Sequence, residues 1–261
     1  MGVILETQNL SMSFGGIRAC KEFDFRMEEG ELVGLIGPNG AGKTTVFNLI
    51  TGVYRPTEGK VLFLEHDITG LVPYRITRLG IARTFQNIRL FGNLTVLDNV
   101  KVAYSSKRKT ALLSALRRDS LFGAEERAVE DASLVLLDRF GLLDRREELA
   151  RNLPYGEQRK LEIARALAVT PRLLLLDEPA AGMNPSEAED LINLVQRVRR
   201  EFGVTVLIIE HQMRVIMRMC ERIRVMDFGE TIAEGTPGEI QSNPRVIAAY
   251  LGRRATHAAG R

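Results

Sequence analysis

Long apolar runs are scarce in this 261-residue chain. The longest, such as Leu173–Leu176 and Val204–Ile209, fall well short of the roughly 18 residues that a membrane-spanning helix needs. The opening, MGVILETQNL, has no basic stretch followed by a long apolar one, so no secretory signal is expected. Glu6 stands where a myristoylated Met1-Gly2 start wants Ser or Thr. Cysteine is scarce too. Cys20 and Cys220 match no metal spacing and supply no disulfide framework, which fits a reducing compartment. An excess of one charge is also missing. Lys+Arg number 36 and Asp+Glu 33, and a net +3 does not by itself imply nucleic-acid binding. No internal repeat or low-complexity tract is present. These absences predict a cytoplasmic protein that meets any membrane through a partner.

The composition is that of an ordinary globular protein, 45% hydrophobic and 26% charged. The length allows one two-lobed domain or two close-packed ones. Alternating patterns over 3–10 and 19–28, including Phe23, Phe25 and Met27, predict strands of a mainly antiparallel sheet. ELVGLIG (31–37) reads as a buried strand, and GPNGAGKTT turns it into a helix with Val46, Leu49, Ile50 and Val53 on one face. KVLFLEHDI (60–68) reads as another strand. From about Leu90 to Leu167 helical periods dominate, with loops expected near Gly123 and Gly141. LLLLDEP then restores a buried strand. A helix with Leu191, Leu194, Val195 and Val198, the strand VTVLIIE (204–210), and a helix around 212–221 follow. RIRVM-DFGE-TIAEG predicts a hairpin with Gly229 in its turn. PRVIAAYL predicts a short helix, with 253–261 a frayed tail. Strands alternating with helices predict a mostly parallel sheet covered on both faces.

Two stretches carry chemistry. GPNGAGKT (37–44) fits G-x-x-x-x-G-K-[ST] between a strand and a helix. Gly37, Gly40 and Gly42, with Pro38, Asn39 and Ala41 between them, let backbone N–H groups close around phosphate oxygens. Lys43 brings a point charge to the β- and γ-phosphates, Thr44 a hydroxyl for Mg²⁺, and Thr45 continues the helix start. The helix dipole adds to the attraction. RLLLLDEP (172–179) puts Asp177 at the carboxyl end of a strand, where α/β sheets bind ligands. Asp177 suits Mg²⁺, and Glu178 can polarise an attacking water.

With these residues in order, the chain resembles the ATP-binding subunits of ABC transporters over almost its whole length. The resemblance implies an α/β fold: a P-loop NTPase core with a mainly parallel sheet, an N-terminal antiparallel β-subdomain and a helical subdomain. It places 1–89 and 168–252 in a catalytic lobe and 90–167 in a helical lobe. It implies that Phe14 stacks on adenine and that Gln86, in ARTFQN, joins the lobes and contacts Mg²⁺ or its water. LPYGE, Leu153, Pro154, Tyr155, Gly156 and Glu157, becomes the signature loop that grips a neighbour's ATP. Ala181, Gly182, Met183 and Asn184 become the loop that reaches across a head-to-tail dimer, and His211 the switch histidine. ATP and Mg²⁺ are the implied cofactors.

An extended segment at roughly 104–130, with KRK (107–109) and LRR (116–118), and the ending EGTPGEIQSNPRVIAAYLG are similar to the larger ATPase of branched-chain amino acid importers. That likeness implies a second, paralogous ATPase, two permease subunits and, indirectly, a periplasmic binding protein. No nucleic-acid partner is expected, and the location implied is the cytoplasmic face of the inner membrane. The same motor motifs also serve transporters of lipopolysaccharide or urea, and soluble ABC ATPases.

Three positions depart from the family pattern. Asn184 stands where Asp is common. Pro154 and Tyr155 replace the common Ser and Gly, and proline has neither hydroxyl nor N–H to offer a phosphate. A lost hydrogen bond to a charged group costs about 1.5–3 kcal/mol, which predicts two unequal ATP sites in a heterodimer. The N–H groups of Tyr155, Gly156 and Glu157 are expected to remain as a helix-terminal anion site.

Overall fold

The computed structural model describes residues 2–105 and 120–258, with side chains at 2–104 and 123–251. The chain forms two compact units: 1–83 with 172–261, and 84–171. Periodicity alone had put the boundaries near 90 and 167.

The first unit holds two sheets. Strands β1 (Val3–Phe14), β2 (Ile17–Glu28), β4 (Glu58–Phe63) and β5 (His66–Asp67) form an antiparallel sheet in the order β2-β1-β4-β5. In β2, Phe23, Phe25 and Met27 are buried and alternate with exposed residues, the two-residue period of a half-buried strand. The second sheet runs β10-β9-β3-β8-β7-β6. Its strands are β3 (Leu32–Ile36), β6 (Ile81–Arg83), β7 (Leu173–Asp177), β8 (Thr205–Ile209), β9 (Arg222–Asp227) and β10 (Glu230–Gly235). All neighbours are parallel except the edge hairpin β9–β10. Every residue of β3, β7 and β8 is buried, as expected of parallel strands covered on both faces. The hairpin turns through Phe228 and Gly229, both at positive φ (46° and 82°), the signature of a type I′ turn.

Helix α1 (Lys43–Ile50) follows β3, and α2 (Pro73–Leu79) precedes β6. One apolar core joins Phe23, Phe25 and Met27 to Val46, Phe47 and Ile50 of α1 and to Leu175, Leu207 and Ile209 of the parallel sheet. Val53 does not continue the helix. Its N–H donates to Asn48 O at 2.9 Å beyond the last turn, and its side chain is exposed.

The second unit is helical. Helices α3 (Val96–Ser105), α4 (Ser120–Arg139) and α5 (Tyr155–Ala168) pack on one another, with short 3₁₀ turns at 143–145 and 150–152. Gly123 lies inside α4 rather than in a loop, and Gly141 is in the turn that follows it. KRK (107–109) and LRR (116–118) lie outside the described residues. Back in the first unit, α6 (Pro185–Phe202) and α7 (Met213–Met219) follow β7 and β8. The chain closes with α8 (Pro237–Ser242) and α9 (Pro244–Ala258). The expected tail is therefore helical as far as Ala258, and 259–261 lie outside the described residues. No described helix is long and apolar enough to cross a membrane.

Both cysteines are buried, and burial pushes the Cys20 thiol up to about 12 and Cys220 upward as well. Thiolate is the reactive form. Iodoacetamide at about pH 8 will leave both unlabelled in the folded protein and label both in denaturant. Mass spectrometry checks this, and labelling of either in the native state would contradict the packing.

Candidate active site

The register of three parallel strands sets the site. Leu35 of β3 pairs with Ile209 of β8, and Ile209 pairs with Asp177 of β7. The segments that leave these strands therefore start level with one another, at the carboxyl edge of the sheet. They are the 37–44 loop, Glu178, and the pair Glu210–His211.

The 37–44 loop is backed by main chain. A Cβ at Gly37 would run into the carbonyl oxygen of Met226, and one at Gly42 into that of Ala19. Gly42, at φ 102°, is the N-cap of α1. The Ala41 carbonyl accepts from Gly229 N–H at 3.0 Å, and the Gly229 carbonyl accepts from Lys21 N–H at 2.8 Å. Lys43 is buried, and its ammonium donates to the carbonyls of Gly37 (2.7 Å) and Pro38 (3.0 Å). A cation is thus held inside a ring of backbone groups at a helix start, the arrangement that binds phosphate. Asn39, Gly40 and Thr44 are exposed, whereas Pro38 and Ala41 are buried and Thr45 is half-buried. Phe14, at the end of β1, is 44% exposed and packs edge-on to Tyr54 with ring centroids 5.2 Å apart. That leaves an apolar face open for a flat ring.

Asp177 is buried and ion-paired to Arg83 Nη2 at 2.7 Å. Through Nη1 the same guanidinium reaches Asn48 Oδ1 (2.7 Å) and Thr51 Oγ1 (3.2 Å) of α1 and its cap. It also lies 5.4 Å from the Phe47 ring centroid. Arg83 therefore ties the end of β7 to the helix that begins at the phosphate loop, a role that the sequence did not flag.

Glu178 sits at φ 47°, a left-handed conformation costly for a residue with a Cβ. Its N–H donates to Ile209 O at 2.9 Å, and its Oε2 lies 3.4 Å from His211 Nδ1. Such strain persists only where surrounding bonds over-determine it, and Glu210 supplies several. This buried carboxylate accepts from the N–H groups of Ala180 (2.7 Å), His211 (3.1 Å) and Gln212 (3.4 Å). Gln212 Nε2 returns a bond to Ala180 O at 3.0 Å. Burial raises the Glu210 carboxyl above its ordinary range, and the N–H donors pull it back. The loops carrying Glu178 and His211 are thus fastened by a residue that reads in sequence as the mere end of a strand.

Asn184 is the N-cap of α6. Its Oδ1 accepts from Ser186 N (2.9 Å) and Glu187 N (3.0 Å), and Glu187 closes the capping box. Gly182 and Asn184 are exposed, while Ala181 and Met183 are half-buried.

Gln86 and Leu153–Glu157 belong to the second unit and are brought together there. Leu153 is buried, and Pro154 is the N-cap of α5, with Tyr155 at the first helical position. The Pro154 carbonyl accepts from Glu157 N–H and Gln158 N–H, each at 3.0 Å. The expected anion site therefore loses the Glu157 N–H, which closes the first helical turn instead. The Glu157 carboxylate pairs with Arg145 Nε at 2.9 Å. Below them lies a fully buried ion pair, Arg159–Glu162, at 2.8 Å. Arg159 Nη1 donates to Phe85 O (2.8 Å), and Nη2 to Gln86 O (2.8 Å) and Tyr155 Oη (3.0 Å). Glu162 Oε1 accepts from Phe85 N–H (3.4 Å) and Arg89 N–H (3.3 Å).

A phosphate loop with its lysine, a buried aspartate and a carboxylate beside a histidine, all at one sheet edge, are the groups that a nucleotide site requires. Residues 20–181 match the ABC transporter family. The chain belongs to that family. Residues 230–256 match a second family description, the branched-chain amino acid ATP-binding cassette transporter. The chain is 45% identical to the high-affinity branched-chain amino acid transport ATP-binding protein LivG of Salmonella typhimurium. It is likewise 45% identical to BraF, of the same description, from Pseudomonas aeruginosa. Each comparison spans 95% of this chain and 98% of the relative. Among solved structures, an ATP-binding cassette of an ABC transporter in its ADP conformation matches with a TM-score of 0.84 at 33% identity. That match covers 97% of this chain and all of that one.

The donor set fits Mg²⁺. No cluster of three or more metal-binding side chains occurs among the described residues. Magnesium bound with phosphates needs only one or two carboxylates and a hydroxyl, which Asp177 and Thr44 provide. Replacing Arg83 by Leu removes the ion pair to the buried Asp177. A loss of about 3–5 kcal/mol is expected, read from urea unfolding midpoints, and unchanged stability would show that the pair is not needed.

Proposed function

We propose that this chain is the ATP-hydrolysing motor subunit of an importer for branched-chain amino acids or related amino acids and amides. The match of residues 230–256 to the branched-chain family carries the choice among ABC transporters. The full-length likeness to LivG and BraF supports it. The family resemblance implies that the cargo is recognised by other subunits of the complex.

In this reading the ring of N–H groups at 37–44 binds the phosphates, Lys43 neutralises the β- and γ-oxygens, and Phe14 supports adenine. Asp177 and Thr44 would hold Mg²⁺, with Gln86 in the contact that the resemblance implies, and the ion would neutralise charge developing on the phosphate oxygens. Glu178 accepts a proton from the attacking water as its oxygen bonds to the γ-phosphorus and the bond to ADP breaks. His211 donates an N–H to the γ-phosphate. Two such subunits face head to tail, each closing the other's site with Leu153–Glu157 and touching through Ala181–Asn184. Closure is favoured by ATP because only the closed state contacts it from both sides. The subunit sits on the cytoplasmic face of the inner membrane, held by permease subunits, with a periplasmic binding protein acting indirectly.

Glu178→Gln will lower ATP turnover of the assembled transporter by roughly 10²-fold or more, measured as phosphate release. Turnover within a few-fold of the parent would remove Glu178 from its assigned role. Pro154→Ser restores a hydroxyl to the signature loop. It is expected to tighten nucleotide binding at the site served by this loop by about tenfold or more, measured by titration with ATP. Unchanged affinity and turnover would end the idea of unequal sites.

A further inference from the structure

We infer that Tyr155 and Arg159 form a bridge that couples the loop carrying Gln86 to the signature loop of the same chain. The inference rests on the ATPase reading above. A single nitrogen, Arg159 Nη2, donates both to Gln86 O (2.8 Å) and to Tyr155 Oη (3.0 Å). Nη1 holds Phe85 O, while Glu162 holds Phe85 N–H and Arg89 N–H. The 85–89 loop therefore hangs from one buried ion pair, and Tyr155 is joined to that pair at the first position of α5. The guanidinium centre also lies 5.7 Å from the Tyr155 ring centroid. Arg159 and Glu162 are 0% and 1% exposed at the side chain, so water does not replace a bond lost by that pair, whereas Tyr155 itself is 43% exposed. A guanidinium is planar, and its fork cannot follow one acceptor without turning away from another. A shift of the Gln86 backbone therefore has to move Tyr155 or break its bond.

A glycine at this position would have no group to reach Arg159. Gln86 serves the ATP bound by its own chain, and the signature loop serves the ATP of the neighbour. The bridge therefore passes the state of one site to the other through a single subunit. Tyr155 and Arg159 are positioning residues, not catalytic ones.

Hydrogen exchange tests the coupling. The full-length chain carrying Glu178→Gln, which preserves bound ATP, is held at a concentration where sedimentation shows monomer. Exchange at the 155–158 amides is compared with and without MgATP. MgATP is expected to change it severalfold. Tyr155→Phe keeps the ring and deletes the hydroxyl, and should abolish most of that change. Arg159→Lys, which keeps a charge for Glu162 but loses the fork, should do the same. An undiminished response in Tyr155→Phe overturns the bridge, as does a parent that shows no response while MgATP raises its Tm. If MgATP fails to raise Tm at all, the ATPase reading itself falls, and the bridge with it.

Discussion

The parallel pairing of β3, β8 and β7 is the constraint on which the site depends. Neighbouring strands lie about 4.8 Å apart, and Leu35, Ile209 and Asp177 stand at one level across them. A slip of one residue would turn a strand's side chains to the opposite face. It would also move Asp177 or Glu210 out of line with the phosphate loop. All three strands are buried on both faces, and a slip would also pull the buried Asp177 and Thr205 away from their partners Arg83 and Gly30 N–H. The chemistry is placed by the hydrophobic effect, although none of the reacting groups is hydrophobic.

Burying charge is costly unless each ion is paired and hydrogen-bonded. This chain buries Arg83 with Asp177, Arg159 with Glu162, and Glu210 among backbone N–H groups. These groups share a task. Each fastens chain segments that no regular secondary structure connects: α1 to β7, the 85–89 loop to α5, and the loop after Glu178 to the loop holding His211. Loop backbone has no ladder of its own, and a buried side-chain ion with several donors or acceptors supplies one. The left-handed φ of Glu178 is maintained in such surroundings.

The parts of the site legible in the sequence were those with a local signature. The phosphate loop is contiguous and lies between a strand and a helix, and Asp177–Glu178 ends a run of four leucines. The antiparallel sheet followed from two-residue alternation, the parallel strands from short apolar runs, and the hairpin from Gly229. The rest depended on distance in the fold. Arg83, Glu210 and Arg159 each act on residues that are remote in sequence or held by main-chain atoms, so no spacing rule announces them. Asn184 could be placed but not interpreted, because its side chain is engaged in helix capping. Val53 and Gly123 were misplaced for a simpler reason. Periodicity does not mark where a helix stops, and a lone glycine inside a long helix is tolerated at a cost of about 1 kcal/mol.

The wall behind the phosphate loop is made of peptide groups: Ala19 O against Gly42, Met226 O against Gly37, and Gly229 N–H on Ala41 O. Such a wall is made by main-chain atoms, although Cys20 and Met226 within it also bury their side chains in the core. It is sensitive to chain length. Adding or removing one residue in the β2 stretch or in the β9–β10 turn shifts every peptide group in it. The spacing of residues along these two stretches is therefore as much a part of the phosphate loop as its own glycines.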